Sequence, residues 1–337
     1  MPPSNTSAEE WLLIDLSTEC NLRCKHCHLW MTKDPPNALT TAEKARVIEE
    51  YSAWKPRGRV VFAGGELLLK VEEAVTLAQR CQALGITCMG LTNGTLMTEA
   101  VAFDLCNSGL SQLSISLDAP NARSYDYTRG VPGTFVKVLA AIKTLQQTKR
   151  KLGKGPAIHI NTILARSTLS FLPEHFRFLE SLEVDGVFFL PLTKTLANQS
   201  EQDPYFAKES LEPTKEFDEA IEFLLQKKRI GGSLIFNGEA DLSLIRDYVH
   251  GKLAHSQICN SGDRNVVVDT MGDVRFCHHM EQKISRGQGL GNVRRQKLRE
   301  ICESSTAIGF RQLMRTCWED CEMNSCNRKT TCSASRV

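Results

Sequence analysis

The stretch Ser17-Thr18-Glu19-Cys20-Asn21-Leu22-Arg23-Cys24-Lys25-His26-Cys27 decides the reading of this chain. Its three cysteines, spaced C-x3-C-x2-C, follow directly on an apolar strand pattern over residues 11–16. Three thiolates on so short a loop cannot close a four-ligand site by themselves. A zinc ion would need a fourth ligand, for which His26 or His28 is at hand. An iron–sulfur cubane held by three cysteines would instead leave one iron open to an exogenous ligand. The loop sits at the C-terminal end of the first strand, where barrels and open α/β sheets place their active sites. Placement favours the open cluster.

Outward from that loop the chain alternates strand and helix patterns. Apolar strands are predicted over 11–16, 59–63, 86–91, 113–117, 157–164 and 184–190. Between them, Val71, Ala74, Val75, Ala78 and Cys81 follow the helical period, as do Phe135, Val138, Leu139, Ile142 and Leu145. Thr40 with Glu43 three residues later reads as a capping box. Six strands alternating with helices predict an α/β fold, with a parallel sheet in a partial barrel or a doubly wound arrangement. Residues 149–155 (KRKLGKG) read as a solvated loop. The pattern ends near Arg229, where Gly231-Gly232 interrupts it.

Beyond about residue 255 the pattern changes. Residues 265–269 and 273–277 alternate around Thr270-Met271-Gly272 and predict a β-hairpin. A helix is expected within 294–304. The remainder is rich in cysteine and poor in apolar periodicity, so it needs a staple, and a metal is the natural one. The boundary is expected within 230–255, giving a barrel over 1–240 and a small α+β domain over 241–337.

The chain has 41 Lys and Arg against 39 Asp and Glu, a net charge of +2 that excludes a strongly basic nucleic-acid binder. No apolar run reaches the roughly 18 residues of a spanning helix. The N-terminus lacks the features of a secretory signal, so a cytoplasmic location is expected. In a reducing compartment, 13 cysteines are not a disulfide framework. Cys81, Cys88, Cys106 and Cys302 read as small buried side chains. The N-terminal trio and the late group Cys259, Cys277, Cys317, Cys321, Cys326 and Cys332 remain for chemistry.

These motifs, in this order, resemble the radical S-adenosylmethionine (radical SAM) enzymes. Cys20, Cys24 and Cys27 match the cluster motif of that superfamily, with His26 where an aromatic residue is usual. Gly64-Gly65-Glu66 at the end of the second strand matches its Gly-Gly-Glu motif, with Leu67 in place of the commoner proline. Leu91-Thr92-Asn93-Gly94 ends the third strand as in many relatives. Ser114-Ile115-Ser116-Leu117-Asp118 is similar to the segment that contacts the cofactor ribose, and residues 129–135 resemble the loop after it. Asn161 on the fifth strand is a further candidate for the site.

The resemblance implies a partial (β/α)6 TIM-like barrel. It further implies a [4Fe-4S] cluster on Cys20, Cys24 and Cys27 whose free iron binds S-adenosylmethionine. One-electron cleavage of the sulfonium would then yield a 5′-deoxyadenosyl radical that abstracts a substrate hydrogen. Gly64, Gly65, Glu66, Asn93, Ser114, Ser116, Asp118 and Asn161 would contact the cofactor. The C-terminal part is similar to SPASM and Twitch extensions, although it lacks their C-x2-C-x5-C-x3-C block. That departure argues for one auxiliary [4Fe-4S] cluster, on Cys259, Cys277, Cys317 and Cys321, with Cys326 as substitute. Zinc, with His278 or His279, is the alternative there.

Two enzyme readings and one other follow. The first is hydrogen abstraction from a small molecule (sugar, aminocyclitol or nucleoside) leading to oxidation, epimerisation, dehydration or decarboxylation. The second is a peptide- or protein-modifying maturase. Only about 10 residues precede the first strand, which favours the small substrate because many maturases carry a leader-binding domain there. A non-catalytic iron–sulfur carrier is the third, and it leaves the strand-end motifs without purpose. An external one-electron donor such as flavodoxin or ferredoxin is the expected partner. Arg286, Arg294, Arg295, Lys297 and Arg299 read as a solvated helix face or a docking surface for that donor. Segments 190–202 and 238–255, with Lys194, Asn198, Glu239 and Asp241, are expected to line the substrate pocket.

Overall fold

The computed structural model describes residues 10–193, 203–252, 257–277, 289–315 and 328–330. Six strands run parallel in sequence order: β1 (Trp11–Ser17), β2 (Arg59–Gly64), β3 (Thr87–Thr92), β4 (Gln112–Ser116), β5 (Ala157–Leu164) and β6 (Gly186–Pro191). Each is followed by helical segments. The open, mostly parallel sheet is a partial barrel, the α/β architecture expected from the strand–helix alternation.

Period-two alternation decides which face is which. Leu12, Ile14 and Leu16 on β1, Leu113 and Ile115 on β4, and Ile158, Ile160 and Leu164 on β5 are buried in the core. Helices Thr41–Trp54, Val71–Ala83 and Thr134–Leu152 contribute Val47, Leu77 and Val138 to the same cluster. Each fully buried aliphatic side chain of this kind contributes about 1.5–3 kcal/mol. The opposite residues of each strand therefore face the concave side. All six C-terminal strand ends share one edge, because the strands are parallel.

The Thr40–Glu43 capping box forms as expected. Cys81, Cys88, Cys106 and Cys302 are buried. Residues 149–155 depart from the expected loop, because helix Thr134–Leu152 runs on through Lys149, Arg150 and Lys151. Three cations in a last helical turn suit the helix dipole, and Gly153, at φ +65°, ends the helix. Lys149 also pairs with Asp185 at 3.1 Å.

The later residues add to the main sheet. After β7 (Gln257–Cys259), the hairpin expected over 265–277 forms as β8 (Asn265–Val268) and β9 (Asp273–Arg275), turning at Gly272 with φ +87°. β8 pairs in parallel with β1, and β10 (Gly291–Asn292) follows β9, so the hairpin extends the barrel sheet at its β1 edge. β11 (Arg328–Thr330) pairs with β7 in a separate two-stranded sheet. Helix Leu298–Glu303 lies inside the expected window.

Arg294, Arg295, Lys297 and Arg299 are exposed, as a solvated face requires, and Arg294 also joins a seam to the first helix. Arg294 bonds Glu43 at 2.6 Å and the carbonyls of Asn37 and Ala38 at 2.8 and 3.0 Å, and Arg299 pairs with Glu303. Arg286 lies outside the described residues. Among the described residues, no helix is long and apolar enough to cross a membrane.

Candidate active site

The cysteine loop is stitched to the sheet from two sides. On one side, Gly65 N donates to Ser17 O at 2.7 Å and Glu66 N to Glu19 O at 2.9 Å. A Cβ at Gly65 would lie 2.0 Å from the carbonyl oxygen of Glu19, so only glycine permits this approach. On the other, Arg23 N donates to Arg129 O at 3.1 Å and Lys25 N to Thr128 O at 2.9 Å. Asp34 anchors the start of the loop, accepting from Ser17 Oγ at 2.8 Å and Thr18 N at 2.7 Å while pairing with Lys70.

The three thiols differ in their surroundings. Cys24 is buried, whereas Cys20 and Cys27 are half-buried. Asn93 Nδ2 lies 3.9 Å from Cys20 Sγ, and Arg129 Nη1 lies 3.7 Å from Cys24 Sγ. Burial pushes the Cys20 thiol up to about 11 and Cys27 upward as well. Bare thiols here resist ionisation, so a bound cation would have to supply the compensating charge.

Two buried nitrogens beside the loop, His26 Nδ1 and Arg129 Nε, have no hydrogen-bond partner among the described residues. Burial, reinforced by Arg129, lowers the His26 pKa to about 3, so its imidazole is neutral. Three thiols beside the orphaned Arg129 Nε–H, and His26 Nδ1 when that nitrogen carries the ring proton, fit a sulfur-bridged anionic cluster, whose sulfurs accept such bonds. Among the described residues, no three His, Cys, Asp or Glu side chains are grouped as a single-ion site.

The strand-end residues fall into two sets. Glu66 and Asp118 are buried and engaged internally. Glu66 accepts from Leu68 N at 2.9 Å, from Asn93 N at 2.7 Å and from Thr92 Oγ1. Asp118 accepts from Ile163 N at 2.9 Å and from Arg129 Nη2. Each carboxylate thus reaches a thiol through one neighbour, Glu66 through Asn93 to Cys20 and Asp118 through Arg129 to Cys24. Ser114, Ser116 and Asn161 form the second set. They lie out of phase with the core residues of β4 and β5, and Ser116 stands opposite Asn161 across the two strands. Gly64 and Gly65 offer backbone only.

Other inner-face residues carried no motif. Asp15 on β1 faces the concave side near Asp269 and Arg275 of the hairpin, and burial raises its pKa to about 6. Arg129 was legible as part of a loop, but not as the cation beside Cys24. The cue was Gly130, at φ +69°, whose Cβ would strike Arg23 O at 2.1 Å. Of the expected pocket residues, Glu239 pairs with Arg229, and Asp241 accepts from Gly238 N at 2.9 Å to cap helix Glu239–Val249. Both carboxylates thus take part in local contacts. Lys194 and Asn198 lie outside the described residues.

In the C-terminal part, Cys259 is buried at the end of β7 and Cys277 is half-buried just after β9. Ser261 Oγ donates to Phe276 O at 2.7 Å, which ties the two segments together. Cys317, Cys321, Cys326 and Cys332 lie outside the described residues, as do His278 and His279.

A strand-end cysteine loop on a six-stranded partial barrel defines a class of enzyme, and the comparisons agree. The Radical SAM superfamily model matches residues 14–185, and the chain belongs to that superfamily. An iron-sulfur cluster-binding domain model, SPASM, matches residues 259–327. Its cofactors are therefore a [4Fe-4S] cluster with S-adenosylmethionine, together with auxiliary iron–sulfur binding.

Among curated relatives, the chain is 31% identical over 170 residues to the AdoMet-dependent heme synthase of Oleidesulfovibrio alaskensis, covering 50% of this chain and 42% of that protein. The AdoMet-dependent heme synthase of Methanosarcina barkeri is 28% identical over 339 residues, covering 98% of this chain and 92% of that protein. The solved structure of native anSMEcpe with bound AdoMet superposes with a TM-score of 0.68 at 20% identity, over 90% of this chain and 83% of that one. That likeness is one of fold.

Proposed function

We propose that this chain oxidises a small molecule after hydrogen-atom abstraction at the concave face, and that a tetrapyrrole is the class of substrate. The observation that carries this reading is the lining of that face. Leu13, Met89, Leu91, Ile163, Phe188 and Leu190 are half-buried there, with Ser116 and Asn161 among them. An apolar wall interrupted by Asp15, Ser114, Ser116 and Asn161 suits a large flat ring bearing a few polar groups better than a sugar, aminocyclitol or nucleoside, whose hydroxyls would need more partners. Similarity to the Methanosarcina barkeri heme synthase along both chains supports the same class.

In this reading residues 1–240 form the barrel, and Cys20, Cys24 and Cys27 hold the cluster that binds S-adenosylmethionine. Residues 241–337 form the auxiliary part, with Cys259 and Cys277 joined by Cys317 and Cys321, and Cys326 as the substitute. When bound, these groups supply one-electron cleavage of the sulfonium, hydrogen abstraction and a further electron acceptor. The protein's own residues do the rest. Gly64 and Gly65 keep Cβ atoms out of the approach to the loop, Ser114, Ser116 and Asn161 offer hydrogen bonds at the strand ends, and Asn93 and Arg129 fix two thiols. An external one-electron donor of the flavodoxin or ferredoxin class completes the cycle.

The test is turnover of reduced, reconstituted protein with an iron porphyrin carrying propionate side chains. The porphyrin should raise 5′-deoxyadenosine formation, and mass spectrometry should find an oxidised porphyrin in step with it. Stimulation by a peptide but not by porphyrin would replace this reading with that of a maturase. Solvent deuterium entering a carbon of unchanged oxidation level would replace oxidation with epimerisation.

A further inference from the structure

Arg129 is a buried guanidinium with three distinct nitrogen environments. Nη2 is held by Asp118, Nη1 lies 3.7 Å from Cys24 Sγ, and Nε is buried with no partner among the described residues. The side chain cannot drift. Its guanidinium lies 5.1 Å from the Tyr125 ring centroid, and Tyr125 OH is anchored on Ser116 O at 2.7 Å. Its backbone carbonyl accepts from Arg23 N, so the residue grips the cysteine loop by main chain and side chain together. The second oxygen of Asp118 accepts from Ile163 N, so both carboxylate oxygens are engaged within the protein.

A neutral thiol is a poor acceptor for a buried guanidinium, whereas a thiolate or sulfide is a strong one. An anionic, sulfur-rich group beside Cys24 would strengthen the contact that Nη1 makes there and give Nε the acceptor it lacks. We propose that Arg129 is the fixed counter-cation of the N-terminal cluster, and that Asp118 is a positioning residue acting on Cys24 through Arg129. This rests on the assignment of Cys24 as a cluster ligand. A cation and N–H donors at a ligand sulfur favour the more negative, reduced state, so the pair sets the reduction potential.

The measurement is an EPR-monitored redox titration of anaerobically reconstituted protein, following the signal that changes on addition of S-adenosylmethionine. Arg129→Gln should shift the one-electron reduction equilibrium at least about tenfold toward the oxidised state, which is about 59 mV more negative. Arg129→Lys, which keeps the charge, should restore most of that shift. Asp118→Asn should move the potential the opposite way, because it leaves the guanidinium uncompensated.

If Arg129→Gln holds no cluster, the lysine and Asp118→Asn variants still decide the matter. An unchanged potential in Asp118→Asn, with weakened S-adenosylmethionine binding, would overturn the proposal and restore a direct cofactor contact. Wild type without any cluster signal would instead refute the ligand assignment on which it rests.

Discussion

Replacing Gly65 by alanine should abolish iron binding at the N-terminal loop and reduce 5′-deoxyadenosine formation to background. The added Cβ would sit 2.0 Å from Glu19 O and 2.8 Å from Thr18 O, both backbone atoms that cannot rotate away. Relief requires separating β2 from the loop, which breaks the bonds from Gly65 N to Ser17 O and from Glu66 N to Glu19 O. The loss of stability should be about 2–4 kcal/mol, the upper part of the usual range for one substitution. Gly231→Ala is the control, since nothing lies within 4 Å of its Cβ position. Iron content and deoxyadenosine yield read the result. Wild-type values for both in Gly65→Ala would show that the loop does not depend on this contact.

Removing all three N-terminal thiols should leave about half the iron. Wild-type protein reconstituted without oxygen should hold about eight irons per chain, from two cubane clusters. The two cysteine groups lie in different parts of the sequence, and the Cys259 and Cys277 segments are tied by their own bond from Ser261 to Phe276. Conversion of Cys20, Cys24 and Cys27 to alanine should therefore spare the C-terminal cluster. Complete loss of iron would mean that the C-terminal cysteines hold no independent cluster. No loss would mean that the N-terminal loop holds none.

The readings that rested on local pattern fared differently from those that needed distant partners. Alternation along β1 to β6 announces which side chains are apolar and at what period, and the structure begins or ends each strand within two residues of the expectation. The hairpin was legible too, because Gly272 and the flanking alternation are local. Its partner was not. β8 pairs with β1 across more than 200 residues of sequence, and nothing in its composition names that edge.

The same limit governs the site. The cysteine spacing declares a cluster, but Arg129 meets Cys24 across a separation of 105 residues. Glu66 and Asp118 look alike in sequence as strand-end carboxylates offered to a cofactor. The folded chain shows both taken up internally, a fact that depends on where Asn93, Thr92 and Arg129 come to rest. Charge patterning announced the exposed face on which Arg294 lies, but not its partner Glu43, 251 residues away in the sequence.

The most direct test of the account is the cleavage of S-adenosylmethionine itself. Anaerobically reconstituted wild type, given a strong reductant and S-adenosylmethionine without substrate, should release 5′-deoxyadenosine slowly. Cys24→Ala should release none, while Cys326→Ala should still release it. Absence of deoxyadenosine from wild type carrying its full iron would contradict the account and leave an iron–sulfur electron carrier in its place.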